Sequence, residues 1–245
     1  MAVQQFRKTD FIQQTDAFTG KKIVIAVDGP AASGKGTLAK KLANRLGYAF
    51  LDTGALYRAV GLAVLETGGD PSVIEDVLPA LAIIKRNLTP ELLASPALRT
   101  PEVSDASSKV AALPEVRIDL VDFQRNFAKN PPEGMGGAVL DGRDIGTVIC
   151  PDADVKFFVT AGVEERARRR FAEIGATRPG MTYEQVLEDL KVRDQRDQSR
   201  KVAPTIAAED AYILDTTALS PSQTVDEAIS VIRARFLAET ADIGD

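Results

Sequence analysis

Residues Gly29–Thr37 read GPAASGKGT, with glycines at 29 and 34 and a lysine at 35 in the spacing G-x-x-x-x-G-K. Glycine permits backbone angles that turn several amides inward onto phosphate oxygens. A helix starting near Lys35 adds the positive end of its dipole, and the Lys35 ammonium can reach the β- and γ-phosphates of a triphosphate. The hydroxyl residue that commonly follows such a lysine and binds magnesium is replaced by Gly36, and Thr37 comes one place later. Gly29, Pro30, Ala31, Ala32, Ser33, Gly34, Lys35, Gly36 and Thr37 are therefore the expected seat of donor phosphates. A Gly-rich turn without a ligand has the same pattern; the strand-like run before it and the helix-like run after it favour phosphate.

Transfer of a phosphoryl group between two nucleotides brings several negative charges together. The protein must neutralise them, align donor and acceptor and exclude water. Planar guanidinium forks suit that task, and the absence of histidine from the chain does not weaken the reading. Arg58 lies at the start of a helix following a strand, where such sheets face their ligand crevice; a solvated helix arginine is the plainer reading. DGRDIGT (Asp141–Thr147) crowds Asp141, Arg143 and Asp144 at a strand mouth; a tight turn with Asp144 capping a helix is its plainer reading. Arg193, Arg196 and Arg200 share one helix face with Asp197 among them. That face is either laced with ion pairs, such as Asp189 with Arg193, or built for an anion. Arg166, Arg169 and Arg170 form a comparable face before the turn ATRPGMT. Glu164 and Glu165 stand four residues before Arg168 and Arg169, so a lid and a solvated helix both stay open for it.

The 245 residues carry a net charge of -5, which argues against a general nucleic-acid binder, so any anion site must come from local clustering of arginines. One cysteine, Cys150, and no histidine exclude an intrachain disulfide and a Cys/His zinc site. No apolar run reaches the ~20 residues of a membrane span. Residues 1–20 lack the apolar core of a secretory signal and read as a tail, with Phe6, Phe11 and Phe18 as possible docking points. The cytoplasm is the expected compartment.

The elements that would position these residues alternate. Ile23–Val27, Tyr48–Asp52, Ala138–Asp141, Val155–Ala161 and the run YILDTT read as strands. Leu38, Leu42 and Leu46 line one face of the helix after the phosphate loop. TGALYRAVGLAVLET and Ser72–Lys85 read as the next two helices. Pro90, Pro96 and Pro101 break the pattern between Arg86 and Lys109, a stretch that looks like an inserted lobe. In PEVRIDLVDFQRNFAKN, Val116, Leu120 and Phe123 share a face, as do Phe123 and Phe127. Thr182 and Gln185 form a capping box for YEQVLEDLKVRDQRDQSR, and Ser220-Pro221 opens the last helix. The alternation predicts a three-layer α/β fold, a parallel sheet with helices on both faces.

GKGT together with LDTGALYR (Leu51–Arg58), DGRDIGT and RDQRDQSRKVAP (Arg193–Pro204) resembles the bacterial cytidylate kinases, from about Ile23 to about Phe236. The resemblance implies a phosphate-loop kinase core over 21–84 and 138–245, an inserted monophosphate-binding lobe over about 85–130 and a small lid over about 168–185. It implies ATP and Mg2+, with CMP and dCMP as acceptors; the net charge and the lack of a long apolar run set the expectation of no nucleic-acid and no membrane partner, and a monomer is expected. It places the Asp52-Thr53 corner, Arg58, Arg143 and Asp144 at the acceptor nucleotide, Arg193 and Asp197 at its sugar and phosphate, and Arg196 and Arg200 at the transferring phosphate. Lys35, Arg143, Arg196 and Arg200 would thus be catalytic, and Arg169 and Arg170 would close on the donor phosphates. Asp141 resembles the strand-end aspartate that holds magnesium through water, with Asp28 a rival. A cytosine edge offers one amino donor and two acceptors, and Ser108, Arg117 and Asp144 would read it by resemblance. The chain departs from the family pattern in Thr53, where serine is common, in Gln195, and in a shortened segment before LRTPEV. Kinases of AMP, UMP or shikimate, and a nucleotide-controlled switch ATPase, are the alternatives.

Overall fold

The computed structural model describes residues 22–174 and 180–241, so the tail at 1–20 and most of the ATRPGMT turn lie outside the described residues. Five strands form one sheet: β1 (Ile23–Asp28), β2 (Ala49–Asp52), β3 (Gly137–Asp141), β4 (Val155–Thr160) and β5 (Tyr212–Asp215), in the order β2-β3-β1-β4-β5. Every pairing is parallel. The register sets Asp141 beside Val27 on one side and beside Asp52 on the other, so strand ends carrying Asp28, Asp52 and Asp141 open at one edge of the sheet. That carboxyl edge is where ligands bind in open parallel sheets.

Helices cover both faces, as the alternation predicts. On one face α1 (Lys35–Leu46) and the C-terminal α9 (Pro221–Ala241) pack Leu38, Leu42, Leu46, Ile229 and Ile232 onto Ile23, Ile25, Val27 and Phe157. On the other face Ala26, Ala138 and Leu140 meet Ala128 of α6 (Pro114–Lys129) together with Ile145 and Ile149. The central strands β1 and β3 are nearly continuous apolar runs because both of their faces are covered, whereas Tyr212 and Ile213 of the edge strand β5 are exposed.

A helical lobe stands beside the sheet: α2 (Thr53–Glu66), α3 (Ile74–Asn87), α4 (Pro90–Ala94), a 3-10 turn (Pro96–Arg99) and α5 (Pro101–Val110). Leu56, Val60, Val77, Leu81, Leu98, Val110, Val116 and Leu120 form one apolar cluster there, so α2 and α3 pack with the stretch that follows them. The prolines between residues 86 and 109 do not interrupt helices; they start them. Pro90, Pro96 and Pro101 each occupy the first turn, and the preceding Thr89, Ser95 and Thr100 accept the backbone bonds from Leu92, Ala97 and Val103. Proline costs nothing at that position, since its missing N–H has no helical partner anyway. Phe123 also differs from expectation. Val116 and Leu120 are buried, but Phe123 is 38% exposed and lines the cleft described below; the three-residue step from Leu120 carries it to the edge of the apolar stripe.

α7 (Val163–Ile174) and α8 (Tyr183–Gln198) pack through Ala167, Ile174, Val186 and Leu190. The expected capping box is present at Thr182 and Gln185.

Candidate active site

The phosphate-loop segment leaves β1 through Gly29, whose φ is +147°; a Cβ there would sit 2.0 Å from the Val159 carbonyl oxygen. No side chain other than hydrogen fits that crossing. Ala32 and Gly34 also hold left-handed angles, φ 58° and 88°. The loop is fastened from behind. Its carbonyls at Pro30, Ala31 and Ser33 accept from Lys35 Nζ (3.3 Å), Arg166 (3.2 Å) and Thr216 Oγ1 (2.9 Å). α1 starts at Gly34 with no side-chain cap, whereas α2 is capped by Asp52 and α8 by Thr182. An uncapped helix start with its loop carbonyls turned back leaves main-chain amides for an anion.

A cleft of about 910 Å³ opens over this start, and Ala31, Ala32 and Gly34 to Thr37 form its floor. Across it stand Thr53, Arg58, Ser108, Arg117, Arg143, Asp144, Arg193, Asp197 and Arg200, all lining the same space. Among the described lining residues nine cations face five carboxylates. The chain as a whole is acidic, so this local excess of positive charge is a feature of the cleft and attracts anions into it.

The acceptor-side cations come from separate elements and each meets a carboxylate. Arg58 on α2 pairs with Asp52 at 2.6 Å. Arg117 on α6 pairs with Asp144, donates to the Ala111 carbonyl at 3.3 Å, and lies 5.6 Å from the centre of the Tyr57 ring. Arg143 reaches Asp197 at 3.2 Å, Arg193 lies 3.8 Å from the same carboxylate, and Arg200 pairs with it through its other oxygen. Ser108 donates to that oxygen at 2.7 Å. Burial pushes the Asp197 carboxyl up, but Arg143, Arg193 and Arg200 outweigh it and hold the group below its ordinary range. Burial, helped by Arg143, lowers the Arg193 guanidinium to about 10, and burial likewise lowers Arg200. Burial pulls Arg117 down as well, yet Tyr57 and Asp144 raise it overall. These cations are crowded and desolvated, a state that an incoming phosphate relieves.

At the sheet edge Lys35 Nζ lies 4.0 Å from Asp141 Oδ1. Burial lowers the ammonium, with Arg143 adding to it, and burial raises the carboxyl. Asp141 Oδ1 is buried with no hydrogen-bond partner, and a Cβ at residue 36 would sit 2.9 Å from Oδ2. The small Gly36 therefore lets the strand-end carboxylate approach the floor of the cleft. Asp28, the rival for that role, is occupied: its two oxygens accept from the Ile145 and Gly146 amides at 2.8 and 2.7 Å. Burial raises its carboxyl to about 7.

Several expected groupings take another form. Asp144 precedes the helical turn Ile145–Ile149 but does not cap it; its side chain goes to Arg117. Arg193 pairs with Asp197 and Ser104, not with Asp189. Arg196 turns away from the cleft to Asp105 at 2.8 Å, because its place on α8 faces α5. Of Arg166, Arg169 and Arg170 on α7, only Arg170 lines the cleft. Arg166 is buried on Asp194 and the Ala31 and Ala161 carbonyls. Arg169 is held by Glu165 and the Thr216 carbonyl. Sequence reasoning did not find Tyr57 beneath Arg117, nor the apolar wall of Phe50, Phe123 and Phe127. The four-residue step between Phe123 and Phe127 was the one available sign of that wall.

A family described as cytidylate kinase matches residues 25–234. The chain is 51% identical over 210 residues to a cytidylate kinase of Rhodospirillum rubrum, covering 86% of this chain and 97% of that protein. It is 51% identical over 213 residues to a cytidylate kinase of Paramagnetospirillum magneticum, covering 86% and 98%. The fold is similar, with a TM-score of 0.53 and 14% identity, to the crystal structure of an uncharacterized protein from Eubacterium ventriosum, covering 86% of this chain and 99% of that one.

Proposed function

The chain belongs to the cytidylate kinase family, and from that membership we propose that its cleft transfers the terminal phosphoryl group of ATP to CMP and dCMP. One observation carries the reading: a floor of main-chain amides at an uncapped helix start faces guanidinium groups drawn from α2, α6, α8 and the 142–144 loop across one cleft. A switch protein needs the floor alone; a transferase needs both sides charged against two nucleotides.

Donor phosphates would lie on residues 29–37, with Lys35 at the β- and γ-oxygens. The acceptor phosphate would meet Arg58, Arg143, Arg193 and Arg200, and the base edge would meet Ser108, Arg117 and Asp144. Each of these cations already holds a carboxylate, so the nucleotide must exchange those pairs for its own. An oxygen of the acceptor phosphate forms a bond to the γ-phosphorus while the bond to the β–γ bridging oxygen breaks, and ADP leaves with that electron pair. The acceptor phosphate is largely dianionic at neutral pH, so no protein base is required. The Lys35 and arginine charges stabilise the charge spread over the transferring group and cost no reorganisation during transfer.

Magnesium suits the donor set. The orphaned Asp141 Oδ1 at the floor is a hard oxygen donor, and magnesium usually takes one or two carboxylates with waters and substrate phosphates. Asp141 would hold it through water, and the ion would neutralise phosphate charge. Among the described residues there is no cluster of three or more carboxylate, cysteine or histidine ligands. Arg170 lines the cleft, and Arg169 stands beside the donor loop, its Nη1 3.7 Å from where a Cβ at Gly34 would sit; Arg169 and Arg196 would have to leave Thr216 and Asp105 to take part. The 85–130 lobe and the 168–185 lid would swing in on binding and exclude water. No described helix is long and apolar enough to cross a membrane; the cytoplasm and a monomeric state are part of the proposal.

A coupled assay of diphosphate formation with MgATP and CMP, dCMP, UMP or AMP, each alone, tests it. CMP and dCMP should be turned over with kcat/KM well above UMP and AMP. Equal turnover of AMP and CMP, or ATP loss without a nucleoside diphosphate, would reject it.

A further inference from the structure

Asp28 is a buried carboxylate that none of the steps above uses. It is the last residue of β1, and the phosphate loop begins at the next residue. Its side chain does not face that loop. It crosses to the segment that follows β3 and takes the amides of Ile145 and Gly146, 117 and 118 residues away in the chain. Those amides open the turn Ile145–Ile149, whose ring is widened: Ile149 N–H and Cys150 N–H donate five residues back, to Asp144 and Ile145. Widened turns of this kind are rare and occur frequently at functional sites, and this one is supported by the rest of the fold.

The support comes from three directions. The Gly142 amide donates to the Val27 carbonyl at 3.0 Å, one residue before Asp28. Asp28 holds the other end of the 142–146 loop. The stem of Lys156 lies against the far side of Gly146, where a Cβ would come within 3.1 Å of Lys156 Cδ and 3.5 Å of Asp28 Oδ2. Between the two fixed ends stand Arg143 and Asp144, the first reaching Asp197 and the second Arg117. The last two residues of β1 therefore carry the donor floor forward and set the acceptor loop sideways.

We propose that Asp28 is a positioning residue for phosphoryl transfer: its two hydrogen bonds to Ile145 and Gly146 fix the turn that aims Arg143 and Asp144, and so set the distance between donor floor and acceptor clamp. The proposal rests on the kinase reading above. An Asn at this position keeps the shape and one acceptor, but its amide nitrogen cannot accept from the second N–H. The loop is then held at one point in place of two. A misplacement of about 1 Å at a reacting pair costs roughly 10²-fold in rate, so the effect should fall on kcat more than on ATP binding.

Asp28→Asn should lower kcat with CMP at least tenfold and change the Kd for ATP, measured by calorimetry, less than twofold. Because the effect on kcat passes through Arg143, while Asp144 serves the base edge and so the KM for CMP, the same substitution in an Arg143→Ala background should lower the remaining kcat less than twofold. An equal loss in both backgrounds, or wild-type kcat in Asp28→Asn, overturns the proposal. If Asp28→Asn does not fold, Gly146→Ala presses on the same turn from the Lys156 side; it should lower kcat without changing ATP affinity, and an unchanged kcat overturns the proposal. A wild-type protein inactive on CMP would strike the functional reading instead, and the acceptor it does phosphorylate then serves for the same comparison.

Discussion

The two walls of the cleft are built by opposite means. The donor wall is one stretch of nine residues whose ligand groups are main-chain amides, held by glycine angles and by bonds to its own carbonyls. The acceptor wall is a lattice of side chains from separate elements, in which Asp197 alone contacts Arg143, Arg193, Arg200 and Ser108. An amide floor is neutral and stable without a ligand. A lattice of buried charges is stable only while its members are paired, so nucleotide binding there is an exchange of partners. Changes in the donor wall should therefore cost rate, and changes in the acceptor wall should cost both binding and stability.

Lys35→Ala is the largest expected effect and tests the first half of that contrast. Lys35 makes one hydrogen bond, to Pro30 at 3.3 Å, and its approach to Asp141 is loose at 4.0 Å. Its removal should lower kcat by about 10³ or more, as loss of a preorganised charge at the transferring group does. The thermal midpoint should stay within about 5 °C of wild type. A drop in midpoint as large as that of an acceptor-wall variant would erase the distinction.

Arg117→Ala tests the second half. It should weaken CMP by about 10- to 100-fold, the worth of one charged hydrogen-bonding group, with ATP affinity unchanged within a factor of about two. It also strands Asp144, which is 5% exposed, and stranding a buried ionic partner costs ~3–5 kcal/mol. Denaturant unfolding reads the stability loss and calorimetry the binding. Equal weakening of CMP and ATP would remove Arg117 from the base edge, and unchanged stability would show that the lattice tolerates an unpaired carboxylate.

The same contrast explains what was legible in the sequence. The donor wall is contiguous, so spacing alone marked it. The five strands and the cover on both faces were legible too, because each strand is a short apolar run closed by Asp, Gly or Pro. The acceptor wall was legible as residue types but not as pairings. Nothing local chooses Asp105 for Arg196 or Thr216 for Arg169, since both partners arrive from other elements. Arg117 stood out only through the family resemblance; its burial beside Tyr57 depends on how α2 meets α6. The Thr-Pro and Ser-Pro pairs between residues 89 and 101 were read as breaks, although each carries a cap followed by a first-turn proline.

The seam between the walls allows the smallest and sharpest test. Two effects oppose each other at Asp28: burial disfavours its charge, and two backbone donors favour it. Burial prevails, with Asp144 and Asp141 adding to it, and the carboxyl is raised from 3.8 to about 7. Between those values the folded protein binds a proton that the unfolded chain has released. The stability this group contributes is therefore complete below pH ~4 and fades as pH rises through ~7. Asn at this position does not titrate, so the stability difference between wild type and Asp28→Asn should shift against the wild type by about 1–3 kcal/mol between pH 5 and pH 8. Urea unfolding of both proteins at the two pH values measures it. A difference that stays flat would mean that the two amides keep Asp28 ionised throughout, and the seam would then join the walls by charge as well as by shape.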